Sequence, residues 1–170
     1  MIWIFKRARQ FFRALNAEIS YEDEQYLMVH LNQAERELFS KMSLLDQFHS
    51  LQVAYTIERL VIQDKYGVDR EFLIRCALLH DVGKIGVKIG VWDKVFAVLV
   101  ATFLPGLADK LELRGNRAIY IYRNHAKLGG QKLQKIGLFK EAKIIALHHS
   151  PPLKDDPLEL KILRLADDEN

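Results

Sequence analysis

The chain has 170 residues, 49% of them hydrophobic and 28% charged, the composition of an ordinary globular protein with enough chain for one domain and a sizeable core. A net charge of +3 and a pI near 8.9 are too mild to argue for nucleic-acid binding, although they favour small anions such as phosphate esters. The lone cysteine, Cys76, excludes an intramolecular disulfide and is expected to be a small buried residue of a cytoplasmic protein.

In chain order, "MIWIFKRARQFFRAL" (1–15) reads as an amphipathic helix. It has no separate apolar stretch and no small-residue cleavage site, so it is not read as a signal peptide. "SYED" (20–23) is a capping box. It opens a helix whose Leu27, Leu31, Ala34, Leu38 and Leu45 form a core-facing stripe, with a break or bend near Ser43. Ser43 and Asp46 can start the next helix, which carries Leu45, His49, Val53, Ile57 and Leu60 at spacings of three to four and stops at Gly67. Asp69 caps a helix through Leu79, and "HDVGKIG" (80–86) is a glycine-rich loop. Further helices are expected over 91–102, 106–123, 126–136, 139–148 and 158–168. No stretch alternates apolar and polar residues long enough for a sheet, so the fold class is all-α. Residues 1–44 are expected as N-terminal helices packing on or extending a core domain of residues 45–170. "VFAVLVATFL" (95–104) is too short to cross a bilayer, which needs about 20 apolar residues. With residues 1–15 it is the candidate for membrane-surface or homo-oligomer contact.

The chemistry sits on histidines and aspartates. His49 lies on an apolar stripe and should point inward, which alone fits a hydrogen-bonded core histidine. His80 and Asp81 end an apolar helix, and burying both without compensation costs on the order of several kcal/mol. A helix-terminal hydrogen bond between the neighbours and solvent is one way to meet that cost and a metal is the other: imidazole and carboxylate suit divalent first-row cations, and one aspartate can bridge two of them. His125 falls near a predicted helix start, and His148 and His149 at a helix end. Asp167 follows Leu160 and Leu163 on a buried stripe. Asp168, four residues after Arg164, is expected in an exposed ion pair, and His30 is read as structural. Seven candidate ligands without a cysteine exceed the four that close a structural zinc site, which points to an open, reactive centre.

The ordered set His49, His80-Asp81, His125, His148-His149 and Asp167, with "HDVGK" at its centre, resembles the HD superfamily of metal-dependent phosphohydrolases over about residues 45–168. The resemblance implies a helical bundle with a metal centre between its helices. It implies that His49, His80, Asp81 and Asp167 hold one divalent cation, and that Asp81 bridges to a second held by His125 and by His148, His149 or both. The ions would be two of manganese, iron, nickel, cobalt or zinc. Lys84 matches the lysine after the His-Asp pair in the subgroup that splits cyclic dinucleotides, and would sit near the substrate phosphate. Where the cyclic di-GMP branch continues from its paired histidines into a glutamate and a Gly-Tyr-Pro signature, this chain has "HHSPPLKDDP". The activity implied is hydrolysis of a phosphoester of a nucleotide or cyclic dinucleotide by metal-activated hydroxide, with Asp81 and Lys84 catalytic. Two other readings stand beside it: a mononuclear nucleotidase, and a non-catalytic metal- or nucleotide-binding module.

Overall fold

A computed structural model of the chain describes residues 18–61, 67–86 and 90–170; the helix expected over 1–15 lies outside them. The capping box at the start of the described chain forms as its spacing predicts. Ser20 Oγ accepts from the Asp23 amide at 3.1 Å and the Asp23 carboxylate accepts from the Ser20 amide at 2.9 Å, opening α1 (Tyr21–His30). The single helix expected from there to Ser43 is instead two. Asn32 and Glu35 make a second reciprocal box, with Glu35 N donating to Asn32 Oδ1 at 3.1 Å and Asn32 N to Glu35 Oε2 at 2.9 Å. This box starts α2 (Gln33–Ser40), and the extended Leu31 between the helices is buried.

The long α3 (Leu44–Val61) follows, and Asp69 caps α4 (Arg70–Leu79) by accepting from Phe72 N at 3.0 Å. A short 3-10 turn, Val82–Lys84, lies in the predicted loop. Then come α5 (Val91–Phe103), α6 (Pro105–Leu113), α7 (Arg117–Gln134), α8 (Phe139–Leu147) and α9 (Leu158–Glu169). Every regular element among the described residues is helical. Boundaries differ most around α7. Gly115 takes φ +84°, a left-handed conformation that stops α6, and Asn116 caps a fresh helix by accepting from Ile119 N at 3.1 Å. That helix then runs unbroken through the positions expected to separate two helices, so His125 lies in a helix interior and not at a start.

The core is built by α3, α4, α8 and α9 around Leu51, Val53, Ile57, Leu73, Leu78, Ile145, Leu160 and Leu163. Leu27, Leu31 and Phe39 of α1 and α2 join the same cluster, and Arg75 ties α4 to α8 through Glu141 at 2.8 Å. A smaller cluster of Ala97, Val100, Ala108 and Ile119 holds α5 and α6 against α7. α5 is apolar nearly all round, so Trp92, Phe96, Leu99 and Phe103 remain exposed. No helix among the described residues is long and apolar enough to cross a membrane.

Two adjacent glycines in the interior of α7 cost about 1 kcal/mol each relative to alanine. Packing explains them. A Cβ on Gly129 would sit 3.3 Å from Gly83 N, and one on Gly130 would sit 2.9 Å from Ala142 O. The facing Gly83 is tighter still, since its Cβ would fall 1.8 Å from the His125 carbonyl oxygen. Backbone therefore meets backbone where the turn after Asp81 crosses α7. Gly83→Ala should lower stability by about 3 kcal/mol, whereas Gly106→Ala, with nothing within 4 Å of its Cβ, should be neutral or stabilising by up to about 1 kcal/mol. Denaturant unfolding of both variants checks this, and a Gly83→Ala midpoint equal to wild type would contradict the packing.

Candidate metal centre

Five elements deliver the predicted residues to one point. α3 carries His49, α4 ends at His80 with Asp81 next, α7 carries His125, α8 ends at His148 with His149 next, and α9 carries Asp167. Neighbouring imidazole centroids are 5.2 Å apart for His49 and His80, 5.3 Å for His80 and His148, 5.4 Å for His125 and His148, and 4.7 Å for His125 and His149. His30 lies elsewhere, bonded to Glu71 at 2.7 Å and packed on Tyr26.

Three of the histidines share one local device. His80 Nδ1 bonds Ala77 O at 2.8 Å, His125 Nδ1 bonds Tyr122 O at 2.8 Å, and His148 Nδ1 bonds Ile145 O at 2.6 Å. A carbonyl oxygen only accepts, so Nδ1 carries the hydrogen in each and Nε2 faces the centre. His125 Nε2, His148 Nε2 and Asp81 Oδ1 are buried without any hydrogen-bond partner. Each such atom costs about 1–3 kcal/mol, and three around one point make a deficit that a cation would remove. The donor set of nitrogens and carboxylate oxygens fits a divalent first-row metal.

The two carboxylates link the histidines. Asp81 turns Oδ2 towards His80 Nε2 at 3.6 Å and Lys84 Nζ at 2.5 Å, and Oδ1 towards His125 Nε2 at 3.5 Å. Asp167 Oδ1 accepts from His49 Nε2 at 2.9 Å and lies 3.7 Å from His80 Nε2, while its Oδ2 is 3.9 Å from His149. Ligand atoms of His49, His80 and Asp81, of His80, His148 and Asp167, and of His125, His148 and His149 each fall within 4.8 Å of one another. The centre opens to solvent beside the half-exposed His149, in a cavity of about 200 Å³ lined also by Ser150, Pro152 and Arg164.

Two residues here went unread in the sequence. Arg164 is not given over to Asp168: it bonds Asp156 at 2.6 Å and donates to the carbonyls of Leu147 and His148 at 2.8 and 3.0 Å, fixing the turn that presents the paired histidines. Asp46, a helix starter by its position in the sequence, is buried with Oδ1 3.7 Å from Lys84 Nζ. Its spacing of one helical turn before His49 was the available signal.

Comparison with known proteins finds a family model and a relative that match the chain. Residues 48–169 match the family model described as the HD domain. Over 106 residues the chain is 38% identical to 3'3'-cGAMP-specific phosphodiesterase 3 of Vibrio cholerae serotype O1. The matched stretch is 59% of this chain and 19% of that protein, so the chain spans about a fifth of the relative's length. No solved structure matches the chain.

Titration in the cluster divides in two. Burial pushes His125 down to about 4, helped by the Lys84 charge, and pushes His148 down to about 3, helped by His80. His149 falls to about 3 by burial and by its neighbour His148. For His80 burial acts the same way, but the charges of Asp81 and Asp167 outweigh it and raise the imidazole to about 9. Burial opposes ionisation of both aspartates too. Even so, Lys84 and His80 hold Asp81, and bonds from His49 and His80 hold Asp167, well below the usual carboxylate range. Without metal, then, below pH about 6.5 the unfolded chain takes up protons that folded His125 and His148 refuse, so stability falls with acid. The contribution of His80 is complete below about 6.5 and is lost as pH rises through 9. The thermal midpoint of chelator-treated protein should therefore peak near pH 6.5 and fall on both sides, as scanning calorimetry would record; a midpoint still rising towards pH 9 would contradict the His80 environment.

Proposed function

The chain belongs to the HD-domain family of metal-dependent phosphohydrolases, and we propose that it hydrolyses a phosphodiester of a cyclic dinucleotide at a centre of two divalent cations. The observation that carries the reading is the set of partnerless, buried Asp81 Oδ1, His125 Nε2 and His148 Nε2 around a single point. His49, His80, Asp81 and Asp167 would hold one cation. His125, His148 and His149 would hold the other, with Asp81 shared through the oxygens it turns towards His80 and His125. A cluster of this composition accepts manganese, iron, cobalt, nickel or zinc.

Divalent cations, when bound, lower the pKa of a water and neutralise phosphoryl charge. What the chain itself supplies is position and charge. Nδ1 bonds to Ala77, Tyr122 and Ile145 keep three rings in the tautomer that leaves Nε2 available. The Lys84 ammonium, held charged by Asp81 and Asp46 against the cost of burial, stands beside the shared carboxylate. There it would meet the non-bridging oxygens of a substrate phosphate and gain strength as charge builds on them. The half-exposed His149 and the cavity beside it leave the open side for the substrate. Likeness to a phosphodiesterase named for 3'3'-cGAMP supports a cyclic dinucleotide as the substrate class.

Asp81→Ala is expected to lose bound metal and hydrolysis together, since it removes the shared ligand. Lys84→Ala is expected to keep its metal while turnover falls about 10²- to 10³-fold, the usual effect of deleting one charge-stabilising group. Elemental analysis, with chromatography of 3'3'-cGAMP, cyclic di-GMP and nucleoside monophosphates incubated with protein and Mn²⁺, checks all of this. Release of linear dinucleotide supports the proposal; one metal per chain with turnover of monophosphates alone would replace it with the mononuclear nucleotidase.

A further inference from the structure

Lys84 has two carboxylate partners at unequal distance, Asp81 at 2.5 Å and Asp46 at 3.7 Å. The Asp81 oxygen it touches, Oδ2, is the one that faces His80 Nε2 at 3.6 Å. A cation held by His80 and Asp81 would need that oxygen, and an ammonium and a metal ion compete for the same lone pairs with the same sign of charge. The ammonium must then move, and Asp46 Oδ1 is a carboxylate oxygen already within an ångström or so of hydrogen-bond range. Asp46 is itself held in place. Ser43 Oγ donates to its Oδ2, its own amide donates to Ser43 Oγ at 3.3 Å, and its Oδ1 lies 3.7 Å from Lys84 Nζ.

We propose that Asp46 is a positioning residue that receives the Lys84 ammonium from Asp81 when the centre takes up metal. Lys84 thereby clears the shared carboxylate and stays at the rim of the centre instead of leaving for solvent. The same lysine occupies the cation's oxygen in the metal-free protein and faces the substrate in the loaded one. The inference rests on the metal-centre reading above and adds to it the element that fixes where the lysine goes.

A double-mutant cycle on metal affinity tests it without recourse to activity. Mn²⁺ binding is measured by titration calorimetry for wild type, Asp46→Asn, Lys84→Met and the double variant. The direct pull of the Asp46 charge on a cation is the same with and without Lys84, so it cancels in the cycle and only the dependence of lysine position on Asp46 remains. Asp46→Asn should weaken Mn²⁺ binding about tenfold more when Lys84 is present than when it is replaced, a coupling within the range seen for contacting residues. Asp46→Glu should restore most of the loss, which a purely structural defect would not allow. Should Asp46→Asn fold poorly, Ser43→Ala loosens the same carboxylate and should show the same coupling to Lys84 in smaller measure. Additive effects in both cycles would overturn the proposal while leaving hydrolysis by wild type, and with it the metal-centre reading, intact. Coupling without any cyclic dinucleotide turnover would uphold Asp46 and overturn only the substrate.

Discussion

Two carboxylates that are nearly or wholly enclosed, Asp81 and Asp167, sit among five imidazoles in the interior of a small helical protein. Such a concentration of ionisable groups is tolerable only if charge within it balances. In the metal-free chain the balance comes from Lys84 on Asp81 and from a proton held by His80 between Asp81 and Asp167. Both carry positive charge to the oxygens a metal would use. The folded chain thus makes a site for cations and fills it with the Lys84 ammonium and the His80 proton. This constraint accounts for the opposite behaviour of neighbouring rings. His80 stays protonated because two carboxylates flank it, whereas His125 and His148 stay neutral because burial and adjacent positive charge forbid a proton.

Holding that cluster together requires a scaffold that does not shift when its charges change. The apolar core of α3, α4, α8 and α9 supplies most of it, at about 1.5–3 kcal/mol for each large side chain buried. A second contribution is geometric. Gly83 lets the turn after Asp81 come against the His125 carbonyl, so the two residues that face each other across Asp81 Oδ1 are joined by backbone contact and not through flexible side chains. Arg164 does the equivalent for the paired histidines by taking the carbonyls of Leu147 and His148 while anchored on Asp156. Interior glycines and a partly buried arginine are unfavourable locally, and each stands where a ligand's backbone must not move.

Much of this was legible in the sequence. Helical periodicity alone gives the all-α class, and the capping box at Ser20 and the cap at Asp69 appear where spacing puts them. The histidines and aspartates that the ordered motif singles out are the ones that the structure brings together. Most of what failed to show depends on contacts between one helix and a different segment of the chain. The expected division between helices over 106–123 and 126–136 does not exist, and the reason for Gly129 and Gly130 inside the single α7 lies in α8 and in the turn at Gly83. Arg164 read as the partner of a neighbour on its own helix because Asp156, its actual partner, lies in the irregular stretch before it. The break at Leu31 was missed for a local reason, since Asn32 and Glu35 form a capping box that the run of periodic leucines obscured.

The Nδ1 bonds explain why a metal-binding pair should stand at a helix end at all. The last four carbonyls of an α-helix lack partners within it, and the C-terminus carries the negative end of the helix dipole. His80 and His148 each take the position after the last full turn of α4 and α8, and each gives its Nδ1 hydrogen back to one of those carbonyls, Ala77 O and Ile145 O. One hydrogen bond therefore satisfies a helix terminus, selects the tautomer and aims Nε2. Both helices also point their negative ends at the centre, which favours positive charge there before any carboxylate is counted. His125 obtains the same tautomer from Tyr122 O inside α7, at the cost of competing with the helix for an acceptor. That difference is why the adjacent pairs His80-Asp81 and His148-His149 occur where helices stop: only there can the chain turn a second ligand towards the same point in the next residue.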